Sequence, residues 1–244
     1  MTTATPLLDQ ETRHKWQTLL DTLADISARH PDAVFASSLA AEDMVLTHAI
    51  FEARLPIEIF TLDTGRLHPE TLAMVDRIAQ RYGVALRVVH PDPGAVQEHV
   101  AQHGEFAFYE SIELRKACCG IRKVQPLRGV LAGHSAWLTG QHRDQSITRS
   151  ELRESEYDHT FGLHKYNPLA SWTDAQVWDV IRAHDIPYNP LHDQGYPSIG
   201  CDPCTRAVRP GEHPRAGRWW WEQASSKECG LHQGNIESKV IKNG

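Results

Sequence analysis

The chain has 244 residues, 41% hydrophobic and 23% charged, with a formal net charge of -6. That length supports one large domain with a buried core, or a domain with an appendage. The negative balance gives no reason to expect a nucleic-acid partner, and no stretch approaches 18 apolar residues, so no membrane association is expected.

The opening MTTATPLLDQETRHK lacks a basic segment followed by an apolar run, so no signal peptide is expected and the cytoplasm is the default location. Residues 9–29 then place Trp16, Leu19, Leu20, Leu23 and Ile26 at helical spacing. VFASS (34–38) predicts a buried strand and 41–54 a helix. IEIFTLD (57–63) predicts the next strand, 68–83 a helix, ALRVVHP (85–91) a strand, and 93–104 a helix. A helix is expected over 122–133, with Pro126 in its first turn or kinking it, and AWLTG (136–140) closes the series as a strand. The alternation is that of a parallel sheet with helices on both faces, an α/β fold. In SWTDAQVWDVI, Thr173 and Gln176 have capping-box spacing. Beyond about residue 185 the periodicity fades into a tail rich in Pro, Gly, Trp and basic residues. Residues 1–200 are expected to form the nucleotide-binding part, and 201–244 a C-terminal tail of the same structural unit.

Open parallel sheets bind ligands at the carboxyl ends of their strands. Here those ends carry SSLAAED, with Ser37, Ser38 and Glu42; DTGRLHPE, with Asp63, Thr64 and Gly65; and TGQHRDQS, with Gly140 and Arg143. Neither a Walker A loop nor GxGxxG is present. Hydroxyls before a helix suit an anion, although Ser38 could equally be a plain helix cap. DTG and TGxxR could equally be turns with glycine at positive φ.

Five cysteines, an odd number, favour metal binding or catalysis over a disulfide framework. KACCGIRK holds Cys118 and Cys119, and CDPC holds Cys201 and Cys204. A CxxC pair alone fits zinc, a redox dithiol or a cluster. Adjacent cysteines would struggle to chelate one small tetrahedral ion, whereas a 4Fe–4S cluster offers each thiolate its own iron. Arg115, Lys116, Arg122, Lys123 and Arg128 crowd the first clip, and no acid occurs from 114 to 131. Arg206, Arg209, Arg215 and Arg218 come after the second, opposed only by Glu212. Such segregation suits an anionic cluster, an anionic substrate, or simply a solvated basic face. Cys229 stands apart in KECGLHQ, three residues before His232; a thiolate there could be a nucleophile. The fifteen histidines are scattered, with no HExxH-like ligand pair.

KACCGIRKVQPL, YPSIGCDPCTRAV and ECGLH, together with SSLAAEDMVL, LDTGRLHPET and WLTGQHRDQS, resemble the assimilatory adenylyl-sulfate (APS) reductases of the wider phosphoadenylyl-sulfate (PAPS) reductase family. The resemblance spans roughly residues 30–235. It implies a three-layer, parallel-sheet sandwich of the adenine-nucleotide alpha-hydrolase type. It implies one 4Fe–4S cluster per subunit on Cys118, Cys119, Cys201 and Cys204, and Cys229 as the nucleophile within a motif that includes His232. Lys123 matches a lysine between cluster and substrate. SSLAAED matches a modified phosphate loop, and Arg143, Arg215 and Arg218 match cationic substrate positions. The implied reaction reduces APS to sulfite and AMP through an S-sulfocysteine, with thioredoxin as an external reductant because the chain ends about 15 residues after Cys229. A homo-oligomer is compatible with the sequence. The alternatives are a PAPS reductase, an ATP pyrophosphatase-type sulfurtransferase, whose SGGxDS loop SSLAAED departs from, and a non-catalytic zinc or electron-transfer module.

Overall fold

The computed structural model describes residues 8–145 and 152–222. Helix α1 (Gln10–Arg29) starts where the Asp9 carboxylate accepts from Thr12 N–H at 2.7 Å, satisfying one of the free amides of a first turn. Its predicted stripe of Trp16, Leu19, Leu23 and Ile26 is buried. The alternation then runs as β1 (Val34–Ser37), α2 (Ala41–Glu52), β2 (Glu58–Leu62), α3 (Pro69–Tyr82), β3 (Arg87–Val89) and α4 (Pro93–His103). Next come α5 (Ile112–Cys119), α6 (Gln125–Leu131), β4 (Ala136–Leu138), β5 (Ser155–Asp158), β6 (Leu163–Tyr166) and α7 (Asp174–Ala183).

The six strands form one sheet in the order β3-β2-β1-β4-β6-β5. β1 pairs in parallel with β2 and β4, and β4 with β6. The central strands are buried on both faces, as parallel strands under helices must be. The sheet is not wholly parallel: β5 runs antiparallel to β6 at one edge. Its sequence, SEYD, alternates exposed and half-buried positions and carries no apolar run, so neither β5 nor β6 is legible in the sequence. The chain leaves β1 toward β2 on one side, and β4 lies on the other. That reversal of direction is a topological switch point, where such sheets bind ligands.

The helix expected over 122–133 begins ten residues earlier. α5 is capped by Ser111, whose hydroxyl accepts from Leu114 N–H at 3.1 Å. It passes through a π-helical turn, Gly120–Val124, into α6. Pro126 sits in the first turn of α6, directly after the π-helical turn. The capping box of α7 forms as expected, Gln176 N–H donating to Thr173 Oγ1 at 3.2 Å and Thr173 N–H to Gln176 Oε1 at 3.1 Å. No helix among the described residues is long and apolar enough to cross a membrane.

Among the described residues the chain packs as two units. One comprises residues up to 61, 73–87 and 134–189, and its core joins α1, α2, α3 and α7 to the sheet through residues such as Leu23, Phe35, Met44, Ile78, Leu138 and Val180. The other comprises 62–72, 88–133 and 190–222, and its small core contains Phe108, Cys201, Cys204 and Trp219.

Candidate functional site

In the first unit the SSLAAED loop leaves the carboxyl end of β1 through Leu39, at φ 63. A left-handed leucine is unfavourable and persists only where the surroundings impose it. Ser38 does not cap α2, whose N-cap is Ala40. Instead its N–H and Oγ donate to the buried Asp43 carboxylate at 2.5 and 2.6 Å, and Ser37 Oγ accepts from Leu39 N–H at 3.2 Å. Gly140, at the carboxyl end of β4, lies against the same carboxylate: a Cβ there would sit 2.0 Å from Asp43 Oδ1 and 3.2 Å from Glu42 Cγ. Ser37, Ser38, Glu42 and Gly140 are therefore brought together at the switch point. Arg143 is exposed and its Nε donates to Leu152 O at 3.1 Å. Gln141 goes unmarked in the sequence. It is 5% exposed, and neither Nε2 nor Oε1 has a hydrogen-bond partner. A buried amide left unpaired is costly, so it suits a polar ligand at this strand end.

In the second unit the two cysteine clips meet. Cys118 and Cys119 end α5, where neighbouring residues point about 100° apart around the axis. Cys201 and Cys204 flank a 3-10 turn, with Cys204 N–H donating to Cys201 O at 2.9 Å. All four line one pocket with Arg66, Phe108, Arg115, Arg122, Lys123 and Trp219, and none is in a disulfide. Asp63 and Gly65 build the turn beside it. Gly65, at φ 69, donates its N–H to Asp63 Oδ1 at 2.8 Å, which is the turn role, one of the two expected for DTG. Thr64 faces the cysteines: its Oγ1 is 3.3 Å from Cys201 Sγ and accepts from Arg66 N–H at 3.2 Å. Its carbonyl accepts from Arg122 Nη1 at 2.8 Å. Asp202 N–H donates to Arg66 O at 2.8 Å, tying the turn to the second clip.

Charge shapes the thiols unequally. Burial pushes the Cys201 thiol up, but the Lys123 ammonium, the Thr64 hydroxyl and the Arg218 guanidinium outweigh it and hold the group below the ordinary thiol range. Cys204 is pushed up to about 12 by burial and then by the charge of Cys201. Burial also raises Cys118, against Arg122. Arg218 is buried, lies 4.8 Å from the Trp219 ring and donates to Ile199 O at 3.1 Å. Arg215 is half-buried in the preceding turn. Arg115, fully buried, lies 4.6 Å from the same Trp219 ring and is paired with Glu222. The run of basic residues in the sequence marks Arg115, but nothing local marks Thr64 as a sulfur partner, nor Trp219 and Glu222 as site residues.

The donor set fits a 4Fe–4S cluster. Four cysteine side chains on one cation-lined pocket supply the four thiolates that such a cluster takes, one for each iron. Arg66 Nε, Arg218 Nε and Trp219 Nε1 are buried with no hydrogen-bond partner. Unmatched donors around four sulfurs suit an anionic group. Cys229 and His232 lie outside the described residues.

A sequence profile described as the phosphoadenosine phosphosulfate reductase domain matches residues 32–207. The chain is 59% identical over 233 residues to the adenosine 5'-phosphosulfate reductase of Burkholderia cepacia, covering 95% of this chain and 93% of that one. Among solved structures it resembles the phosphoadenylyl-sulfate reductase of Candida auris, with a TM-score of 0.66 and 26% identity over 84% of this chain and all of that one. It shares the fold alone with yeast FAD synthetase, at a TM-score of 0.55 and 15% identity over 84% of this chain and 70% of that one.

Proposed function

The chain belongs to the phosphoadenosine phosphosulfate reductase family, and from that premise we propose that it reduces adenosine 5'-phosphosulfate to sulfite and AMP in sulfate assimilation. The observation that carries the reading is the convergence of Cys118, Cys119, Cys201 and Cys204 on one cation-lined pocket. The choice of APS over its 3'-phosphorylated form rests on that complete cysteine set and on the name of the 59% identical relative.

In this reading residues 1–200 bind the nucleotide, and 201–244 bring the second clip and the nucleophile. Ser37, Ser38, Glu42, Gly140 and Arg143 serve the nucleotide at the switch point, with Gln141 offering its unpaired amide. Asp63, Thr64, Gly65, Arg215 and Arg218, all in the second unit, are the further substrate-binding residues of this reading. The four cysteines would hold the cluster, whose contribution when bound is electrostatic and structural. Lys123 lines the same pocket, and in this reading its ammonium stabilises negative charge on the sulfate oxygens.

The Cys229 thiolate attacks the sulfate sulfur. An S–S bond forms, the S–O bond to the phosphate breaks, and AMP leaves with that electron pair. A thiolate of a thioredoxin-type dithiol then attacks Cys229 Sγ. Sulfite departs with the pair of the S–S bond, and the second thiol resolves the mixed disulfide, regenerating the Cys229 thiolate. The dithiol is oxidised by two electrons and the sulfur reduced by two. His232 belongs to the motif around the nucleophile.

The test is sulfite release from APS and from PAPS by anaerobically purified protein, alongside iron and acid-labile sulfide. The expected result is about four of each per chain, APS turnover with a dithiol, and no turnover in Cys229→Ser at unchanged iron. Zinc without sulfide would remove the cluster, and sulfite release by Cys229→Ser would remove the nucleophile.

A further inference from the structure

The histidines look scattered in sequence, but the fold gathers two of them with a carboxylate. His48 and Glu52 lie four residues apart on one face of α2, and His184 comes directly after the end of α7. One ligand atom from each of the three lies within 4.8 Å of the others. His48 Nε2 is 2.9 Å from Glu52 Oε2, and His184 Nδ1 is 3.7 Å from that same oxygen.

The His48 ring is oriented from behind. Its Nδ1 is 3.1 Å from the Tyr82 hydroxyl, and Trp16 packs on both imidazoles, at 5.9 Å from His48 and 4.7 Å from His184. An oxygen on one ring nitrogen fixes where the other points, the usual support for a metal-binding histidine. His48 Nε2 is buried, and despite its nearness to Glu52 it has no hydrogen bond. Two donor atoms that approach without aligning on each other can both be aimed at a third point. Glu52 is 43% exposed, which leaves the site open to an arriving ion and to water ligands.

We propose that His48, Glu52 and His184 form a site for a divalent transition-metal ion of the zinc class, separate in residues and in donor type from the four cysteines. Two imidazoles and one carboxylate select zinc over magnesium or calcium, which prefer all-oxygen shells. Because the ligands come from α2 and from the end of α7, a bound ion would clamp these two elements.

The test is calorimetric titration of zinc chloride into tag-free, cluster-loaded protein under anaerobic conditions, with iron and sulfide assayed before and after. The expected result is one saturable zinc per chain with iron unchanged. Binding should be lost in His184→Ala, at a half-buried position, and in Glu52→Gln, at an exposed one, and weakened about tenfold in Tyr82→Phe. The proposal is overturned by an absence of saturable binding, by binding that persists in both ligand variants, or by uptake that releases iron and so belongs to the cysteines.

Discussion

Arg115 and Glu222, 107 residues apart, meet in a two-pronged ion pair: Nε donates to Oε1 at 2.8 Å and Nη2 to Oε2 at 2.7 Å. Both side chains are almost fully buried. The carboxylate leaves Arg115 neutralised beside the cysteines, while Arg66, Arg122 and Lys123 line the same pocket. Glu222→Gln should strand a buried guanidinium and destabilise the protein by about 3–5 kcal/mol, and the double variant Arg115→Met, Glu222→Leu should recover most of that loss. Thermal denaturation of the three proteins checks both statements.

Lys123 is the cation with the largest effect on Cys201. Lys123→Ala should slow sulfite formation by about 100-fold while iron and sulfide stay at the wild-type level. An unchanged single-turnover rate would take this lysine out of the chemistry.

Thr64 Oγ1 lies 3.3 Å from Cys201 Sγ, and against a ligand thiolate, which carries no hydrogen, the hydroxyl is the donor. Hydrogen bonds to ligand sulfurs raise a cluster's potential. Thr64→Val should therefore lower the midpoint potential at unchanged iron content, and Thr64→Ser should restore it. A redox titration followed by electron paramagnetic resonance reads the shift.

Two glycines should respond in opposite ways to alanine. At Gly140 the new Cβ would meet the Asp43 carboxylate at 2.0 Å, so Gly140→Ala should cost about 1–3 kcal/mol and raise the KM for the nucleotide. At Gly129, within α6, nothing lies within 4 Å, and alanine should stabilise by about 0.5–1 kcal/mol. Urea denaturation of the two variants separates them.

His192, in the 3-10 turn Pro190–Gln194, is brought down to about 4 by burial, against the opposing Tyr196 backbone and Asp193. Between pH 6.5 and 4 the unfolded chain takes up a proton that the folded one refuses. The stability contributed is thus complete above pH 6.5 and is lost as the pH falls toward 4. Between about pH 6.5 and about pH 5 the loss should be about 2 kcal/mol, and His192→Phe should abolish that slope. Denaturation midpoints at the two pH values test it.

The helices stand close to where hydrophobic spacing puts them, because a buried stripe such as Trp16 to Ile26 is a local signal. Strands β5 and β6 carry no such signal: their order comes from pairing with each other and with β4. The cysteine clips are legible because their chemistry depends on residue type and short spacing. Their surroundings are not. Thr64 reaches Cys201 across 137 residues, and Glu222 reaches Arg115 across 107. Gln141 is conspicuous only once its burial is known.

The π turn that carries Arg122 and Lys123 closes with Gln125 N–H donating to Gly120 O, one residue wider than an α turn. Loss of a single codon between positions 120 and 125 would let the same N–H and carbonyl close an ordinary α turn, keeping α5 and α6 in place while re-aiming the residues inside the turn, Arg122 and Lys123 among them. Such a deletion would leave a continuous, well-formed helix and yet sweep a cation off the sulfurs. In this segment the reading frame of the helix, rather than any one side chain, is the feature most exposed to a small genetic lesion.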